Sequence, residues 1–200
     1  MVPGLILASG RSSRMQRSKA LLPCGGAGET FVRCLARALG QGGVAETLVI
    51  GRPGDDALRS EVAAIAGAVR FVENPDADTG QLSSVLAGLR AADAPAVVGI
   101  LVVPVDMPSI SADSVAALLA VFRATGAPIV RAVHHGRHGH PVIFARTLFD
   151  ELARADPSLG AKAVLRAHDS AIVNVEVDDP GVLTDVDTPE DYLRIFGRPI

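Results

Sequence analysis

Short apolar runs alternate with amphipathic segments through the first half of this sequence, and that alternation restricts the fold more than any other feature. The apolar runs predict four strands, at residues 4–8, 47–50, 69–72 and 97–103. Apolar residues three or four positions apart predict helices between them, at residues 31–39, 57–66 and 82–92. The last apolar run is uninterrupted, which is typical of a strand buried on both faces. The pattern therefore predicts right-handed strand–helix–strand units around a mostly parallel sheet, an α/β fold.

The order of the elements changes after residue 103. Two strands, at 129–133 and 141–145, flank the turn-rich residues 134–140 and predict a small antiparallel insertion. The other expected elements are a helix from Ser111 to 125, helices at 148–155 and 161–168, a strand at 171–177 and a helix from Pro189. Thr30 and either Asp55 or Asp56 are the expected caps of the first two helices. With 200 residues, 48% of them hydrophobic, the chain suits one domain spanning 1–200 with a well-filled core.

Composition excludes several classes of function. The net charge is −3 and aromatic residues make up 4% of the chain, so no basic, aromatic-studded face for nucleic acid is expected. Cys24 and Cys34 have no second pair, which excludes a zinc ribbon and favours small buried side chains. No charged segment precedes the first apolar run, and no apolar run approaches the ~18 residues of a membrane span. We therefore expect a cytoplasmic protein with no membrane partner.

The loop that follows the first strand carries small and basic residues together. Serine and glycine allow backbone N–H groups to turn towards an anion, and Arg11, Arg14 and Lys19 add fixed positive charge. Such a loop predicts polyphosphate binding, with a solvated arginine-rich surface loop as the alternative. It is not a P-loop, because Lys19 is followed by Ala20, and the three-glycine dinucleotide fingerprint is absent.

The same segment resembles the signature of the MobA-like nucleotidyltransferases, L-A-(A or G)-G-x-S-x-R-M-G-x-x-K, with Leu-Leu-Pro after the lysine in the cytidylyltransferase branch. The matching residues are Leu7, Ala8, Gly10, Ser12, Arg14, Met15, Lys19, Leu21, Leu22 and Pro23. Two residues depart from the signature. Ser9 replaces Ala or Gly and is expected to bring a hydroxyl close to the nucleotide, and Gln16 replaces a glycine.

Two aspartates are candidate metal ligands. Asp106 lies in Pro-Val-Asp-Met-Pro at the end of the buried strand, where a stiff backbone suits a Mg²⁺ ligand and an ordinary turn is the alternative. The segment is similar to the family's G-D-(M or Q)-P motif, whose aspartate binds the catalytic Mg²⁺, with Val105 in place of glycine. Asp185-Val-Asp187-Thr-Pro-Glu-Asp resembles the family's last motif, and a second acid joins the metal site in related folds. The resemblance therefore implies Asp106 and Asp187 as metal ligands.

The segment from Asn74 to Ser84 bears on the nucleotide base. Asn-Pro, then Gly80, then Ser83-Ser84 is similar to the pattern of molybdenum-cofactor cytidylyltransferases, and the Gly-Pro-Leu-Ala-Gly type segment of the guanylyltransferase branch is absent. Gly80 permits close approach of the backbone to a base or ribose, and the two serines lie in the first turn of the next helix. The alternative is a simple loop ending in a serine-rich helix start.

A histidine-rich segment is the candidate acceptor site. Residues 136–144 resemble the family's Gly-x-x-Gly-His-Pro-Val-x-Phe, which faces the acceptor, and this implies Arg137, Gly139, His140 and Pro141 as acceptor-binding residues. Without the resemblance, His134, His135, His138 and His140 could be interpreted as a zinc site. Their spacing and the lack of a nearby cysteine argue against such a site. A packed or solvated histidine and an exposed Arg137 remain alternatives.

The resemblance implies a Rossmann-like three-layer αβα nucleotidyltransferase fold, with a mostly parallel sheet and a small antiparallel insertion. It also implies Mg²⁺-dependent transfer of CMP, or less favourably GMP, from an NTP to a phosphate-bearing acceptor, with molybdopterin favoured and pyrophosphate released. Molybdoenzymes or their chaperones would be transient partners. The implied catalytic residues are Arg14, Lys19 and Asp106. The implied nucleotide-binding residues are Leu7, Ala8, Ser9, Gly10, Arg11, Ser12, Lys19, Asn74, Gly80, Ser83 and Ser84.

Three other functions stay open from the sequence. One is a sugar-phosphate or isoprenoid-precursor nucleotidyltransferase on the same fold. The second is a non-catalytic nucleotide-binding accessory protein, which the substitutions at Ser9, Gln16 and Val105 allow. The third, an NAD-dependent oxidoreductase, is disfavoured by the missing glycine fingerprint.

Overall fold

The computed structural model describes residues 1–11, 15, 17–24 and 28–200. The described residues form nine strands: β1 (Gly4–Leu7), β2 (Pro23–Cys24), β3 (Glu29–Thr30), β4 (Thr47–Gly51), β5 (Val69–Glu73), β6 (Gly99–Pro104), β7 (Ile129–His134), β8 (Arg137–Ala145) and β9 (Ile172–Glu176). They also form seven α-helices: α1 (Phe31–Gln41), α2 (Asp56–Ala63), α3 (Gln81–Ala92), α4 (Ala112–Thr125), α5 (Phe149–Arg154), α6 (Ala161–Ala167) and α7 (Pro189–Phe196). Within these ranges no helix has both the length and the apolar character needed to cross a membrane.

Seven strands make the main sheet, in the order β5-β4-β1-β6-β8-β7-β9. β8 runs antiparallel to its neighbours β6 and β7, whereas every other neighbouring pair in this sheet is parallel. The chain moves outwards from β1 through β4 to β5 and then returns to place β6 on the other side of β1. The strand order therefore reverses at β1, and the carboxyl ends of β1 and β6 border the crevice where open α/β sheets bind ligands.

Two apolar layers cover the sheet, which confirms the predicted three-layer α/β fold. Buried residues of α1, α2, α4 and α7 form one core with Ile6, and those of α3, α5 and α6 form the other with Leu5 and Leu7. Successive residues of β1 thus enter opposite cores, which explains why its sequence is continuously apolar. Leu5 and Ile6 are fully buried, and each contributes about 2 kcal/mol of burial free energy.

The predicted antiparallel insertion is part of the main sheet. The expected turn over 134–140 is wrong, because β8 already begins at Arg137 and the turn is limited to His135 and Gly136. Both residues have positive φ, 49° and 72°, the conformation of a two-residue hairpin turn that matches the twist of the strands. A separate antiparallel pair, β2 with β3, was not predicted from the sequence.

Most of the helix-capping residues predicted from the sequence lie at the N-terminal ends of helices in the structure. Asp55 accepts a hydrogen bond from Leu58 N at 3.1 Å, and Ser111 accepts one from Ser114 N at 3.2 Å. Thr30 is the N-cap residue of α1, as predicted, but its hydroxyl does not bond the helix backbone and instead donates to Glu61 Oε1 at 2.7 Å. These contacts fix the starts of α2 and α4 and tie α1 to α2.

Candidate functional site

A cleft of about 500 Å³ opens at the carboxyl edge of the sheet, where the strand order reverses. Its walls are the loop after β1, Arg52 after β4, a 3₁₀ turn (Ala77–Thr79) with the start of α3, and the turn after β6. The lining residues that were predicted from the sequence are Leu7, Ala8, Ser9, Gly10, Arg11, Lys19, Gly80, Ser84, Asp106 and Asp187. We name this the nucleotide cleft. The predicted residues Ser12 and Arg14, and the departure at Gln16, lie outside the described residues.

One lysine bridges two carboxylates in the wall of the nucleotide cleft. Lys19 Nζ lies 3.1 Å from Asp106 Oδ2 and 2.6 Å from Asp187 Oδ1. The side chains are 12%, 27% and 33% exposed respectively, so this cluster is partly shielded from water. Val186 N donates to Asp106 O at 2.8 Å, which joins the two carboxylate-bearing segments directly through their backbones. The structure therefore brings three predicted residues together from distant parts of the chain.

The turn after β6 aims Asp106 into the cleft. Val105 and Met107 are buried in the core on either side of it, and Val105 N donates to Leu7 O at 3.1 Å. Because its two neighbours are held in the core, the carboxylate between them is left at the cleft wall. Val105, which departs from the glycine of the family motif, therefore has a packing role at this position.

A capping box holds Asp187. Thr188 and Asp191 bond each other's backbone N–H groups at the start of α7, and Asp187 N also donates to Asp191 Oδ2 at 3.2 Å. Arg194 and Thr188 lower the pKa of Asp191 to about 2, so the capping carboxylate is ionised at neutral pH. The helix start thus supplies a fixed support for the carboxylate that precedes it.

Two arginines share a second carboxylate at the opposite side of the nucleotide cleft. Asp78 Oδ1 accepts hydrogen bonds from Arg11 Nε at 3.0 Å and from Arg52 Nη2 at 2.7 Å. Arg52 and then Arg11 hold the pKa of Asp78 below its usual value. Arg52 Nε also donates to Ser9 O at 2.8 Å, so this guanidinium supports the loop after β1. Sequence reasoning missed Arg52, and its position directly after a parallel strand is the signal that could have found it.

The Ser9 hydroxyl is bonded within the protein. It donates to Ile50 O at 3.0 Å, and the residue is buried, although it lines the cleft. That this substitution brings a hydroxyl close to the nucleotide stays a prediction. Its hydroxyl joins the loop after β1 to β4.

The predicted residues of the 74–84 segment separate into two groups. Asn74 is fully buried, and its amide donates to Ser83 Oγ at 2.8 Å and to Ser84 Oγ at 3.1 Å. Asn74 and Ser83 therefore stabilise the segment and are not part of the cleft lining, whereas Gly80 and Ser84 line the cleft. Gly80 has φ 111° and ψ 177°, a backbone conformation that excludes most side chains.

A second cleft of about 650 Å³ adjoins the first, and Leu7, Gly80 and Gln81 line both. We name it the acceptor cleft. One wall is apolar, with Leu82, Val85, Val142, Phe144 and Leu165. Three cationic residues, Arg131, Lys162 and Arg166, also line it, and none of them was predicted. Lys162 and Arg166 belong to α6, where nothing local distinguishes them from ordinary surface charges.

The predicted acceptor residues lie only partly in this cleft. Gly139 and His140 line it, whereas Arg137 and Pro141 are absent from its lining. A Cβ on Gly139 would lie 2.1 Å from Val182 O, so glycine is required where β8 passes a 3₁₀ turn (Pro180–Leu183). Gly139 thus shapes the cleft through its lack of a side chain.

His140 is a buried histidine at the junction with the metal-candidate carboxylates. Burial lowers its pKa below the usual 6.5, and the Val102 backbone and the charge of Asp106 act in the opposite direction. Its ring is therefore neutral at neutral pH. Its Nδ1 is buried and has no hydrogen-bond partner in the part of the chain that the structure describes.

The carboxylate pair suits a magnesium ion better than the histidines suit zinc. Among the described residues no group of three or more His, Cys, Asp or Glu side chains could hold a metal by itself. His134 is buried, with Nδ1 2.8 Å from Val177 O, which accounts for it as a packed residue. Mg²⁺ prefers one or two carboxylates completed by phosphate oxygens and water, and Asp106 with Asp187 provides such a donor set.

Comparisons with known proteins identify relatives over most of the chain. A family model described as the MobA-like NTP transferase domain matches residues 4–172. The purine catabolism protein PucB of Bacillus subtilis (strain 168) is 30% identical in an alignment that covers 94% of this chain and 93% of PucB. A molybdenum cofactor guanylyltransferase of Burkholderia vietnamiensis is 35% identical in an alignment that covers 77% of this chain and 75% of that protein.

Solved structures show the same likeness. Rv0371c from Mycobacterium tuberculosis H37Rv superimposes with a TM-score of 0.82 at 27% identity, and the match covers 99% of each chain. Its complex with manganese superimposes with a TM-score of 0.73, again at 27% identity, over 98% of each chain. The family resemblance predicted from the sequence motifs is confirmed.

Proposed function

This chain belongs to the MobA-like NTP transferase family, and we propose that it is a Mg²⁺-dependent nucleotidyltransferase acting on an NTP and a phosphate-bearing acceptor. CTP is the favoured nucleotide and molybdopterin the favoured acceptor. The observation that carries the proposal is the cluster of Lys19, Asp106 and Asp187 in a cleft that adjoins a second, cation-lined cleft. The site draws on residues from Leu7 to Asp187, in keeping with one functional domain over 1–200.

The nucleotide cleft supplies positive charge for the triphosphate. Arg11 and Arg52 donate to Asp78 in the free protein, and phosphate oxygens would accept the same hydrogen bonds in its place. Lys19 adds a third cation, and the backbone of residues 8–10 completes the wall. Arg14 remains a predicted catalytic residue. Together these groups would neutralise the charge that develops on the departing pyrophosphate.

Asp106 and Asp187 would hold the magnesium ion, which when bound polarises the phosphates. The acceptor's phosphate oxygen forms a bond to the α-phosphorus, and the bond from that phosphorus to the bridging oxygen of the β-phosphate breaks. The acceptor oxygen is already ionised, so no strong general base is needed. Rigid placement of the two reactants in neighbouring clefts is the main contribution of the protein.

The acceptor cleft suits a flat anionic molecule. Lys162, Arg166 and Arg131 provide positive charge at one side, and the apolar wall provides a surface for a ring system. His140, neutral and with its Nδ1 unpartnered among the described residues, would contribute a polar contact on the side of Asp106. Delivery of the product to a molybdoenzyme or its chaperone remains the expectation for a protein partner.

Base preference rests on two lines of support that point in different directions. The Asn74–Ser84 segment resembles the cytidylyltransferase pattern, whereas four curated relatives are named molybdenum cofactor guanylyltransferases. We favour CTP because Gly80 and Ser84, two residues of that segment, line the nucleotide cleft. Pyrophosphate release from CTP and from GTP, measured with Mg²⁺ and a phosphorylated pterin, decides between the two.

Two variants test the assignment of residues. Asp106→Asn should abolish pyrophosphate release, and Asp113→Asn, an exposed aspartate in the first turn of α4, is the matched control that should retain it. Full activity in Asp106→Asn would overturn the proposed metal site. Turnover of a phosphorylated sugar or isoprenoid precursor but not of the pterin would favour the alternative transferases. NTP binding without turnover of any acceptor would favour an accessory protein.

A further inference from the structure

The two cysteines of the chain lie together at the N-terminal end of α1, outside the lining of both clefts. Cys24 ends β2 and pairs with Glu29 of β3, and Cys34 lies in the first turns of α1. Cys34 Sγ is 3.9 Å from Cys24 O and 3.6 Å from Glu29 Oε2. Two residues that look unrelated in the sequence are thus direct neighbours.

Exposure and charge give the two thiols different properties. Cys24 is half-buried, whereas Cys34 is 5% exposed. The neighbouring Cys34 thiol lowers the pKa of Cys24, and Arg37 and Arg198 act in the same direction, whereas burial and Glu29 act against it. The neighbouring Cys24 and burial raise the pKa of Cys34. The accessible sulfur is therefore the better nucleophile, and the buried sulfur keeps its proton.

The surrounding structure already holds the two segments in place. Pro23, next to Cys24, accepts a hydrogen bond from the buried Tyr192 hydroxyl at 2.8 Å. Phe31 N, at the start of α1, donates to Leu22 O, directly before β2, at 2.9 Å. Arg37 donates to both oxygens of Glu29, at 3.2 and 3.0 Å. These contacts keep the segments that carry Cys24 and Cys34 next to each other.

We propose that Cys24 and Cys34 are a peroxide-sensitive pair that forms a reversible intramolecular disulfide. The Cys24 thiolate attacks one oxygen of a hydroperoxide, and the O–O bond breaks to give a sulfenic acid and a hydroxide or alkoxide. This leaving group takes up the proton that the Cys24 thiol released on ionisation, and departs as water or an alcohol. The Cys34 sulfur then attacks the Cys24 sulfur, the S–O bond breaks, and hydroxide leaves with the Cys34 proton as a second water. Two thiols thereby lose two electrons, which reduce one peroxide.

The chain is well suited to a direct test by peptide mapping. Trypsin cleaves after Lys19, Arg33 and Arg37, so Cys24 falls in peptide 20–33 and Cys34 in peptide 34–37. After hydrogen peroxide treatment and alkylation without reductant, these two peptides should appear joined within one chain. Dithiothreitol should restore them as separate thiol peptides. Free thiols on both cysteines after treatment would overturn the proposal, as would a link between Cys24 residues of two chains.

Single variants test the order of the steps. In Cys34→Ser, Cys24 has no partner thiol, so its sulfenic acid should persist and be trapped by dimedone. In Cys24→Ser, the buried Cys34 should stay unmodified at the same peroxide dose. Dimedone labelling of Cys34 in place of Cys24 would overturn the assigned roles. Irreversible oxidation of Cys24 in the wild-type chain, with Cys34 still a free thiol, would overturn the disulfide itself.

Discussion

Replacement of Lys19 by methionine should increase the affinity of the free protein for a divalent metal. Lys19 Nζ occupies the space between Asp106 and Asp187, at 3.1 and 2.6 Å from their oxygens. A metal ion bound by the same two carboxylates must displace this ammonium group. Methionine keeps a similar length of side chain and removes the charge, so the competing cation is lost.

The size of the effect follows from the two ion pairs. At ~3 Å and an effective dielectric constant of about 20, Coulomb attraction alone would be about 5 kcal/mol for each pair. The three side chains are between 12% and 33% exposed, and solvent screening together with desolvation reduces such pairs to about 1 kcal/mol each. Two pairs therefore oppose metal binding by about 2 kcal/mol, which corresponds to about a thirtyfold change in dissociation constant.

Mn²⁺ binding in the absence of nucleotide measures this effect, by isothermal titration calorimetry or by electron paramagnetic resonance of the free ion. Lys162→Met is the matched control, since Lys162 is the other lysine of the chain and lies in the acceptor cleft. Its affinity for Mn²⁺ should equal that of the wild type. Lys19→Arg, which keeps the charge, should also bind Mn²⁺ weakly.

In the wild type, NTP should strengthen Mn²⁺ binding, because the phosphates draw Lys19 away from the carboxylates. In Lys19→Met this enhancement should be smaller. The reasoning fails if Lys19→Met, shown by circular dichroism to be folded, binds Mn²⁺ alone no more tightly than the wild type.

Three further predictions concern other parts of the molecule. Gly139→Ala should lower the free energy of unfolding by about 2 kcal/mol and the Tm by about 6 °C, because its Cβ would lie 2.1 Å from Val182 O. Gly40→Ala, with no atom near its Cβ, is the control for calorimetry, and equal losses would contradict the steric argument. For Asp179, burial would raise the pKa, but hydrogen bonds outweigh it and hold the folded value below 3.8. This carboxylate therefore stabilises the fold above pH 3.8, and the contribution is lost as the pH falls through the folded pKa. In Asp179→Asn, the free energy of unfolding measured with urea should consequently fall less steeply at acidic pH than in the wild type. Arg52→Gln should raise the KM for NTP about tenfold in steady-state kinetics, because a guanidinium that binds phosphate is lost. An unchanged KM would show that Arg52 does not bind the phosphates.

Sequence patterns predicted the features that depend on local order. A buried strand is continuously apolar, and a residue just after it must lie at the edge of the sheet, which is how Asp106 could be chosen before the fold was known. Lys19 was chosen from the basic loop and the family signature, and Asp187 from the resemblance to the family's last motif. The structure brings these three together, and their roles in catalysis remain predictions.

Features that depend on packing between distant segments could not be predicted from local sequence patterns. Asn74 looks like a polar group for a ligand, but two serines from the next helix cover it. Arg52, Lys162 and Arg166 look like surface charges until the strand order brings their elements to the clefts. The histidine segment was predicted as a long turn, whereas the structure has a two-residue turn. Positive φ at His135 makes this short hairpin possible, and composition does not show that conformation.

The hydrogen bond from Val186 to Asp106 has a consequence for how the protein is made. Lys19 and Asp187 are 168 residues apart, so the N-terminal strands and the loop after β1 leave the ribosome long before their carboxylate partner exists. A nascent chain that has emerged only through α4 carries Lys19 and Asp106 but lacks Asp187 and cannot complete the cluster. The cluster is therefore complete only after the segment that carries Asp187, directly before α7, has been synthesised and packed against the turn after β6.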